Sequence, residues 1–187
     1  MSDYPQHLVK QVRLRNGTRV TLRPIRPEDA QIESEFVRGL SDEARYNRFM
    51  DMLRELSPSM LRHLTRIDYQ DHMAFIAVTR KGRHEAEIGV ARYVVNPDGK
   101  SCEFAIVVGD DWHGTGVAKL LMEELFCAAR ARGLESMVGE VLCSNHRMLH
   151  FVHRLGFALK RREDDPTVMC VTKSLQPPVR GSAPIPR

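Results

Sequence analysis

The sequence predicts an α/β (α+β) fold in which a mixed, mostly antiparallel central sheet of six to seven strands is flanked by helices. Short β-branched runs end at turns rich in glycine and proline, which is typical of strands. Other segments repeat apolar residues at helical spacing behind Ser or Pro start signals. A strand, a glycine-rich turn and a long helix also follow one another between residues 103 and 134.

The first third of the chain predicts one strand and three helices, after a polar and irregular segment that runs from residue 1 to about 15. Hydroxyl side chains favour helix starts because they accept hydrogen bonds from backbone N–H groups that have no partner within the helix. Proline suits the first helical position because it lacks such an N–H group. The elements are a hairpin turn at 15–18, a strand at 20–23, and helices that begin at Pro27, at Asp42 behind Ser41 (ending at Met52) and at Ser57-Pro58.

The rest of the chain predicts six strands and two helices. The turn Asn96-Pro97-Asp98-Gly99 joins two of the strands as a hairpin. The strands are 74–78, 86–95, 102–108, 137–142, 157–161 and 168–172, and the helices are one that stops at Gly133 and one at 145–155.

These elements suggest three regions in the chain. We expect an N-terminal extension at 1–18, a single domain at 19–175, and a flexible proline-rich tail at 176–187.

Composition excludes several classes of function. The 187 residues are 42% hydrophobic, which suffices for a core without disulfides or metals. Lys and Arg exceed Asp and Glu by 28 to 24, and this modest excess suits a polyphosphate ligand but not a nucleic acid. The four cysteines contain no C-x-x-C pair and indicate reduced thiols. No apolar run is long enough to span a membrane, so we predict a cytoplasmic protein without membrane or nucleic-acid partners.

The segment 103–134 predicts an anion site. Its apolar strand ends at Gly109, a turn with Gly114 and Gly116 follows, and a helix comes next. The first N–H groups of a helix have no internal partner and lie at the positive end of its dipole, which suits an anion. An ordinary turn between a strand and a helix remains the alternative. Phosphate-loop and dinucleotide motifs are excluded, because no Gly-Lys-Ser/Thr follows and Lys119 replaces a third glycine.

This turn resembles the acyl-CoA loop of the GNAT acetyltransferases, in which an apolar strand leads to Arg/Gln-x-x-Gly-x-Gly/Ala and a helix. The strand contributes Ile106 and Val108, and Gly116 and Ala118 match the loop signature. His113 departs from the usual Arg or Gln.

A second segment resembles the other half of the family's cofactor site, where an Asn opens a short helix that ends in Gly-Phe. Asn145 and Gly156-Phe157 match in spacing. Other short segments are similar to bacterial protein lysine acetyltransferases that silence acyl-CoA synthetases: Tyr4-Pro5, Arg23–Ala30, Leu40-Ser41, Arg48-Phe49, Glu103-Phe104-Ala105 and Asp110-Asp111-Trp112.

The resemblance implies that 19–175 is a GNAT N-acetyltransferase domain that uses acetyl-CoA as co-substrate and no metal. Adenosine and pyrophosphate would lie against the backbone of 113–118, and the Val108 N–H would stabilise the developing oxyanion. The cofactor-binding residues implied in this way are Ile106, Val107, Val108, His113, Gly114, Thr115, Gly116, Val117, Ala118, Lys119 and Asn145.

Glu103 is the candidate general base. A lysine amine has a pKa near ~10.4 and attacks a thioester only when it is deprotonated. Similar lysine acetyltransferases place a catalytic glutamate at this point of the central strand, and an acid in an apolar strand is costly unless it is used or paired. The alternative is an ion pair with Arg92 across the sheet. Glu87 and Glu140 are further candidates, each interpreted as a solvated charge on a strand face.

Three other features bear on the chemistry. Many relatives place a Tyr acid where this chain has Val152, so CoA is expected to leave as a thiolate that takes a proton from water. His146, His150 and His153 share one helical face; we favour a polar surface stripe over a metal triad, with an acid role for His150 left open. Trp112 is expected to pack beneath the loop.

The sequence therefore predicts an acetyl-CoA-dependent N-acetyltransferase that acts on lysine side chains of a protein such as an acyl-CoA synthetase. Acetylation of a small amine is the alternative within the class. A non-catalytic acyl-CoA-binding regulatory domain is the alternative from another class. A monomer or weak homodimer is expected.

Overall fold

The computed structural model describes residues 3–50, 55–82 and 84–176. Its strands form one sheet in the order β1-β2-β3-β4-β5-β6-β8-β7, in which only β5 and β6 are parallel neighbours. The strands are Lys10–Arg13 (β1), Arg19–Pro24 (β2), His72–Lys81 (β3), His84–Val95 (β4), Ser101–Val108 (β5), Ser136–Leu142 (β6), Ala158–Arg161 (β7) and Val168–Ser174 (β8).

Five α-helices in the described residues cover the two faces of this sheet. Three short 3₁₀ turns, at Gln6–Leu8, Pro27–Asp29 and Asp110–Trp112, join elements. The helices are Ala30–Gly39 (α1), Asp42–Phe49 (α2), Pro58–Thr65 (α3), Val117–Ala131 (α4) and His146–Arg154 (α5). The predicted fold class is confirmed, with eight strands instead of six to seven.

The additional strand is β1, which lies in the segment that the sequence predicts to be irregular. It pairs antiparallel with β2, from Lys10 opposite Leu22 to Arg13 opposite Arg19. Three of its four residues are exposed, because it is an edge strand with a neighbour on one side only. An edge strand of this kind needs no apolar alternation, so its sequence carries no strand signal.

Side-chain caps start three helices where the sequence predicts them. The hydroxyl of Ser41 accepts a hydrogen bond from Ala44 N at 3.2 Å, and that of Ser57 accepts from Met60 N at 3.2 Å. The side chain of Asn145 caps α5 in the same way. α2 ends earlier than predicted, at Phe49, since the next residue adopts a left-handed conformation; residue 52 and the tail from 177 lie outside the described residues.

Each face of the sheet has its own apolar core. On one face, α4 buries Val117, Leu121 and Leu125, and Val152 of α5 joins the same cluster. On the other face, Phe36 and Val37 of α1 pack over the central strands, with partly buried residues of α2 and α3 around them. Complete burial of each large aliphatic side chain contributes about 1.5–3 kcal/mol, so these helices are held by packing.

Charged side chains are also buried between α1 and the sheet. Arg92 donates to Glu33 Oε1 at 3.2 Å and to Leu64 O at 3.0 Å. Glu87 is only 7% exposed and neither carboxylate oxygen has a partner among the described residues. Its interpretation as a solvated charge is therefore wrong. Burial, and then the charge of Glu33, raises the pKa of Glu87 well above its usual value.

No helix in the described part of the chain is both long enough and apolar enough to cross a bilayer.

Candidate active site

A wedge opens where the two parallel strands part. β5 and β6 pair only from Ser101–Ser136 to Glu103–Val138, so the edge of β5 that faces β6 has no strand partner from Phe104 onward. The Phe104 ring lies against Gly139 of β6, where a Cβ would come within 2.6 Å of it. Phe104 therefore fills the base of the wedge at a position where β6 tolerates only glycine.

A cavity of about 730 Å³ occupies this wedge. Its floor is the apolar run Ile106, Val107 and Val108 of β5. Helix α2 borders one side of the cavity and the start of α5 borders another. A long, partly apolar ligand with a charged end fits such a cavity better than a compact polar one.

The turn before α4 forms the charged end of the cavity. Gly114 and Gly116 have φ values of 76° and 95°, which side chains rarely adopt, and a Cβ on Gly114 would meet no atom within 4 Å. Five amides here have no hydrogen-bond acceptor among the described residues, and the last three of them open a helix of 15 residues. They are the N–H groups of Gly114, Gly116, Val117, Ala118 and Lys119. This is a cradle for an anion of the phosphate class.

Three implied cofactor-binding residues direct their side chains elsewhere. Thr115 Oγ1 donates to Trp112 O at 2.7 Å, Val117 is 1% exposed in the core, and Lys119 is 3.6 Å from Glu123. None of the three lines the cavity: the amides of Val117 and Lys119 have no acceptor among the described residues, whereas Thr115 N donates to Trp112 O at 3.4 Å. His113, Gly114, Gly116, Ala118 and Asn145 line the cavity, as do the three β5 residues named above.

Glu103 stands at the point where the strands part. It is exposed and lines the cavity, opposite Val94 of β4, which is 45% exposed. It forms no salt bridge with a described residue. The alternative ion pair with Arg92 is wrong, because Arg92 turns to Glu33 beneath α1.

The cavity end near Glu103 also carries a cation. Arg48 of α2 lines the cavity, and its guanidinium lies 4.8 Å from the centre of the Phe49 ring. Burial and then the nearby Arg92 lower the pKa of Arg48 to about 10, while Glu33 and Glu103 oppose this shift. At neutral pH Arg48 is still a cation, so an acceptor approaches Glu103 beside a positive charge.

The other candidate side chains do not form a second centre. Glu140 is exposed and pairs with Arg162 at 2.7 Å, as a solvated strand-face charge should. The three histidines of α5 are exposed, and the described residues contain no cluster suited to a metal. Val152 is completely buried, whereas Phe151 lines the cavity, and neither can donate a proton.

Two contacts at the loop were missed by sequence reasoning. Asp110 accepts hydrogen bonds from Ser41 N and Oγ, both at 3.1 Å, and so ties the start of α2 to the loop. Arg147 of α5 contacts His113 Nδ1 across the mouth of the loop. Both join residues more than 30 positions apart, so no local pattern indicates them.

The family follows from a comparison with known proteins. A family model described as an acetyltransferase (GNAT) domain matches residues 19–158. The chain belongs to the GNAT acetyltransferases. It is an enzyme of the class that transfers the acetyl group of acetyl-CoA to an amine, which confirms the family predicted from the loop and from the Asn145 segment.

Individual relatives of the GNAT family agree. An acetyltransferase of Pseudomonas aeruginosa is 36% identical over 154 residues, which are 82% of this chain and 83% of that protein. Acetyltransferase Pat of Mycolicibacterium smegmatis is 34% identical over 169 residues, 90% of this chain but 49% of that protein, so the chain spans about half its length. The crystal structure of the GNAT domain of S. lividans PAT has a TM-score of 0.84 at 30% identity and covers 92% of this chain and 99% of that one.

Proposed function

We propose that this enzyme acetylates lysine side chains of a protein, with an acyl-CoA synthetase as the substrate class, and that Glu103 is the general base. The main support for this proposal is that Glu103 lies where β5 and β6 part. Its side chain is exposed there and has no ion-pair partner among the described residues. A base must reach both the acceptor amine and the end of the cavity, and this position allows both.

The residues of the wedge fit acetyl-CoA. The free amides of Gly114 and of residues 116–119 suit its diphosphate, and the β5 edge beyond Glu103 offers unpaired backbone groups to its pantetheine arm. When bound, acetyl-CoA supplies the activated acetyl thioester. The Val108 N–H remains the candidate donor to the thioester oxygen as negative charge develops there.

Glu103 would take the proton from the attacking amine. Lysine is a cation at neutral pH, and a carboxylate beside it both attracts the ammonium and accepts its proton. The positive charge of Arg48 partly offsets the negative charge of Glu103 at this end of the cavity.

The surroundings of the cavity favour a protein acceptor over a polyamine. The described part of α2 that borders the cavity contributes Glu43 and Arg48 together with the uncharged Asn47 and Phe49. Polyamine recognition needs several carboxylates that face one another, whereas mixed charge suits the surface of another protein. The similarity to acetyltransferase Pat and to the S. lividans PAT domain supports the same choice.

Glu103→Gln tests the base. We expect turnover on a lysine acceptor to fall about a hundredfold, while CoA affinity by calorimetry and the circular dichroism spectrum stay unchanged. Glu140→Gln, which alters the other strand carboxylate at the cavity, should lose less than about threefold because Glu140 already pairs with Arg162.

Equal turnover of Glu103→Gln and wild type would move the base to another group. If wild type binds CoA but modifies neither protein lysines nor small amines, the domain is a regulatory acyl-CoA sensor.

A further inference from the structure

A guanidinium from outside the loop lies at the loop's first position. Arg147 belongs to the first turn of α5, behind the Asn145 cap, and lines the same cavity as the glycines of the loop. Its Nη1 contacts Nδ1 of His113. The two side chains come from elements 34 residues apart in sequence and meet beside the free amides of α4.

The chemistry of this contact fixes the role of each partner. A guanidinium has donors only, so Arg147 donates and His113 Nδ1 accepts. His113 therefore orients Arg147. The remaining donors of Arg147, on Nε and Nη2, have no acceptor among the described residues, and Arg147 forms no salt bridge there.

The acids of the loop, Asp110 and Asp111, form no salt bridge with this cation. Asp110 is held by the Ser41 amide and hydroxyl at 3.1 Å. On the other side of the loop stands a further cation: the Nε of Arg15, in the β1–β2 turn, is 3.9 Å from the place of a Cβ on Gly116. The mouth of the loop thus joins free amides with guanidinium groups, which is how proteins bind phosphate and diphosphate.

We propose that Arg147 binds the diphosphate of coenzyme A and that His113 acts as its positioning residue. The loop carries histidine where its signature has Arg or Gln, and Arg147 delivers a guanidinium to that place from α5. This rests on the proposed use of acetyl-CoA but not on the acceptor or on Glu103.

Calorimetry with CoA tests the proposal without any turnover. Arg147→Ala should weaken CoA binding about ten- to a hundredfold, the scale of a lost charge-assisted contact. Arg154→Ala is the matched control, since Arg154 is an exposed arginine on the same helix about 10 Å farther along its axis. Arg154→Ala should leave the CoA affinity within about twofold of wild type, because Arg154 lies about two helical turns beyond Arg147 and away from the loop.

A rescue experiment separates this role from general loss of charge. If the guanidinium at the first loop position is what matters, His113→Arg introduced into Arg147→Ala should restore most of the CoA affinity. His113→Ala alone should weaken binding less than Arg147→Ala, and it should have little further effect in the Arg147→Ala background.

Dephospho-CoA, which lacks the 3′-phosphate, identifies the phosphate involved. The loss caused by Arg147→Ala should be the same for CoA and dephospho-CoA. A loss seen only with CoA would assign Arg147 to the 3′-phosphate and overturn the diphosphate assignment. Arg147→Ala and Arg147→Gln with wild-type affinity would overturn the inference but leave the proposed function intact, whereas wild type that does not bind CoA would refute the cofactor assignment itself.

Discussion

The two loop glycines carry the cofactor site at the scale of single residues. Gly116 has a φ of 95° and immediately precedes α4, and a Cβ there would lie 3.9 Å from Arg15 Nε. A side chain would strain this backbone and would stand beside the free amides that await an anion. Glycine is therefore needed here both for the backbone conformation and for the access of an anion to the amides.

Gly116→Glu should abolish CoA binding in calorimetry and leave the circular dichroism spectrum unchanged. Gly133→Glu is the matched control, because Gly133 has a φ of 83° at the opposite end of the same helix, away from the cavity. Both substitutions should cost about 1–2 kcal/mol of stability through the left-handed backbone, but only the first should remove binding. CoA affinity of Gly116→Glu within about threefold of wild type would exclude the loop as the anion site.

At the scale of elements, α1 rests on the sheet through buried charges. Arg92 pairs with Glu33 of α1, and Glu87 lies in the same layer with both oxygens unpartnered among the described residues. Burial and the neighbouring Glu33 raise the pKa of Glu87. As the pH rises, the folded protein therefore keeps this proton to a higher pH than the unfolded chain does.

This difference gives a pH dependence with a definite sign. The free energy of unfolding suffers no penalty from Glu87 below its usual pKa of 4.5. Above that pH the free energy of unfolding declines as the pH rises towards the higher pKa of Glu87 in the fold. Glu87→Gln mimics the protonated acid and does not titrate, so its melting temperature relative to wild type should increase as the pH rises above 4.5, the usual pKa of the carboxyl. Glu33→Gln should instead destabilise the fold by about 3 kcal/mol, because it leaves Arg92 without its carboxylate.

Exposed Glu135 supplies the control, and Glu135→Gln should show no such trend with pH. A difference between Glu87→Gln and wild type that stays constant as the pH rises above 4.5 would mean that Glu87 is ionised in the fold.

Local chemistry made some elements predictable and left others hidden. Ser41, Ser57 and Asn145 cap their helices through atoms three residues away, so the sequence alone indicates those starts. The burial of Glu87 depends on α1 crossing β4, and the pairing of β1 depends on β2. These are contacts between distant segments, which a local pattern does not encode.

The candidate site divides in the same way. The glycine turn and Glu103 were predicted from local motifs and from their resemblance to the GNAT family. The contacts of Arg147 with His113 and of Asp110 with Ser41 could not be, since each joins elements that only the folded sheet brings together.

At the scale of the whole molecule, the proposed binding sites for the cofactor and for the acceptor lie on different sides of the cavity. The wedge between β5 and β6 and the start of α4 form the proposed cofactor side, and α2 with Glu103 forms the proposed acceptor side. Asp110 joins the two sides by its bonds to Ser41. Helix α2 offers the acceptor side mixed charge, which favours a protein surface over a polyamine.

The most direct measurement compares kcat/KM for acceptors of the two kinds with acetyl-CoA as donor. An acyl-CoA synthetase should be acetylated at one lysine, as mass spectrometry will show, and should lose activity. Polyamines and aminoglycosides should be turned over at least about tenfold more slowly by kcat/KM. The reverse ranking, with no lysine of the synthetase modified, would contradict a protein acceptor and make this enzyme a small-molecule acetyltransferase.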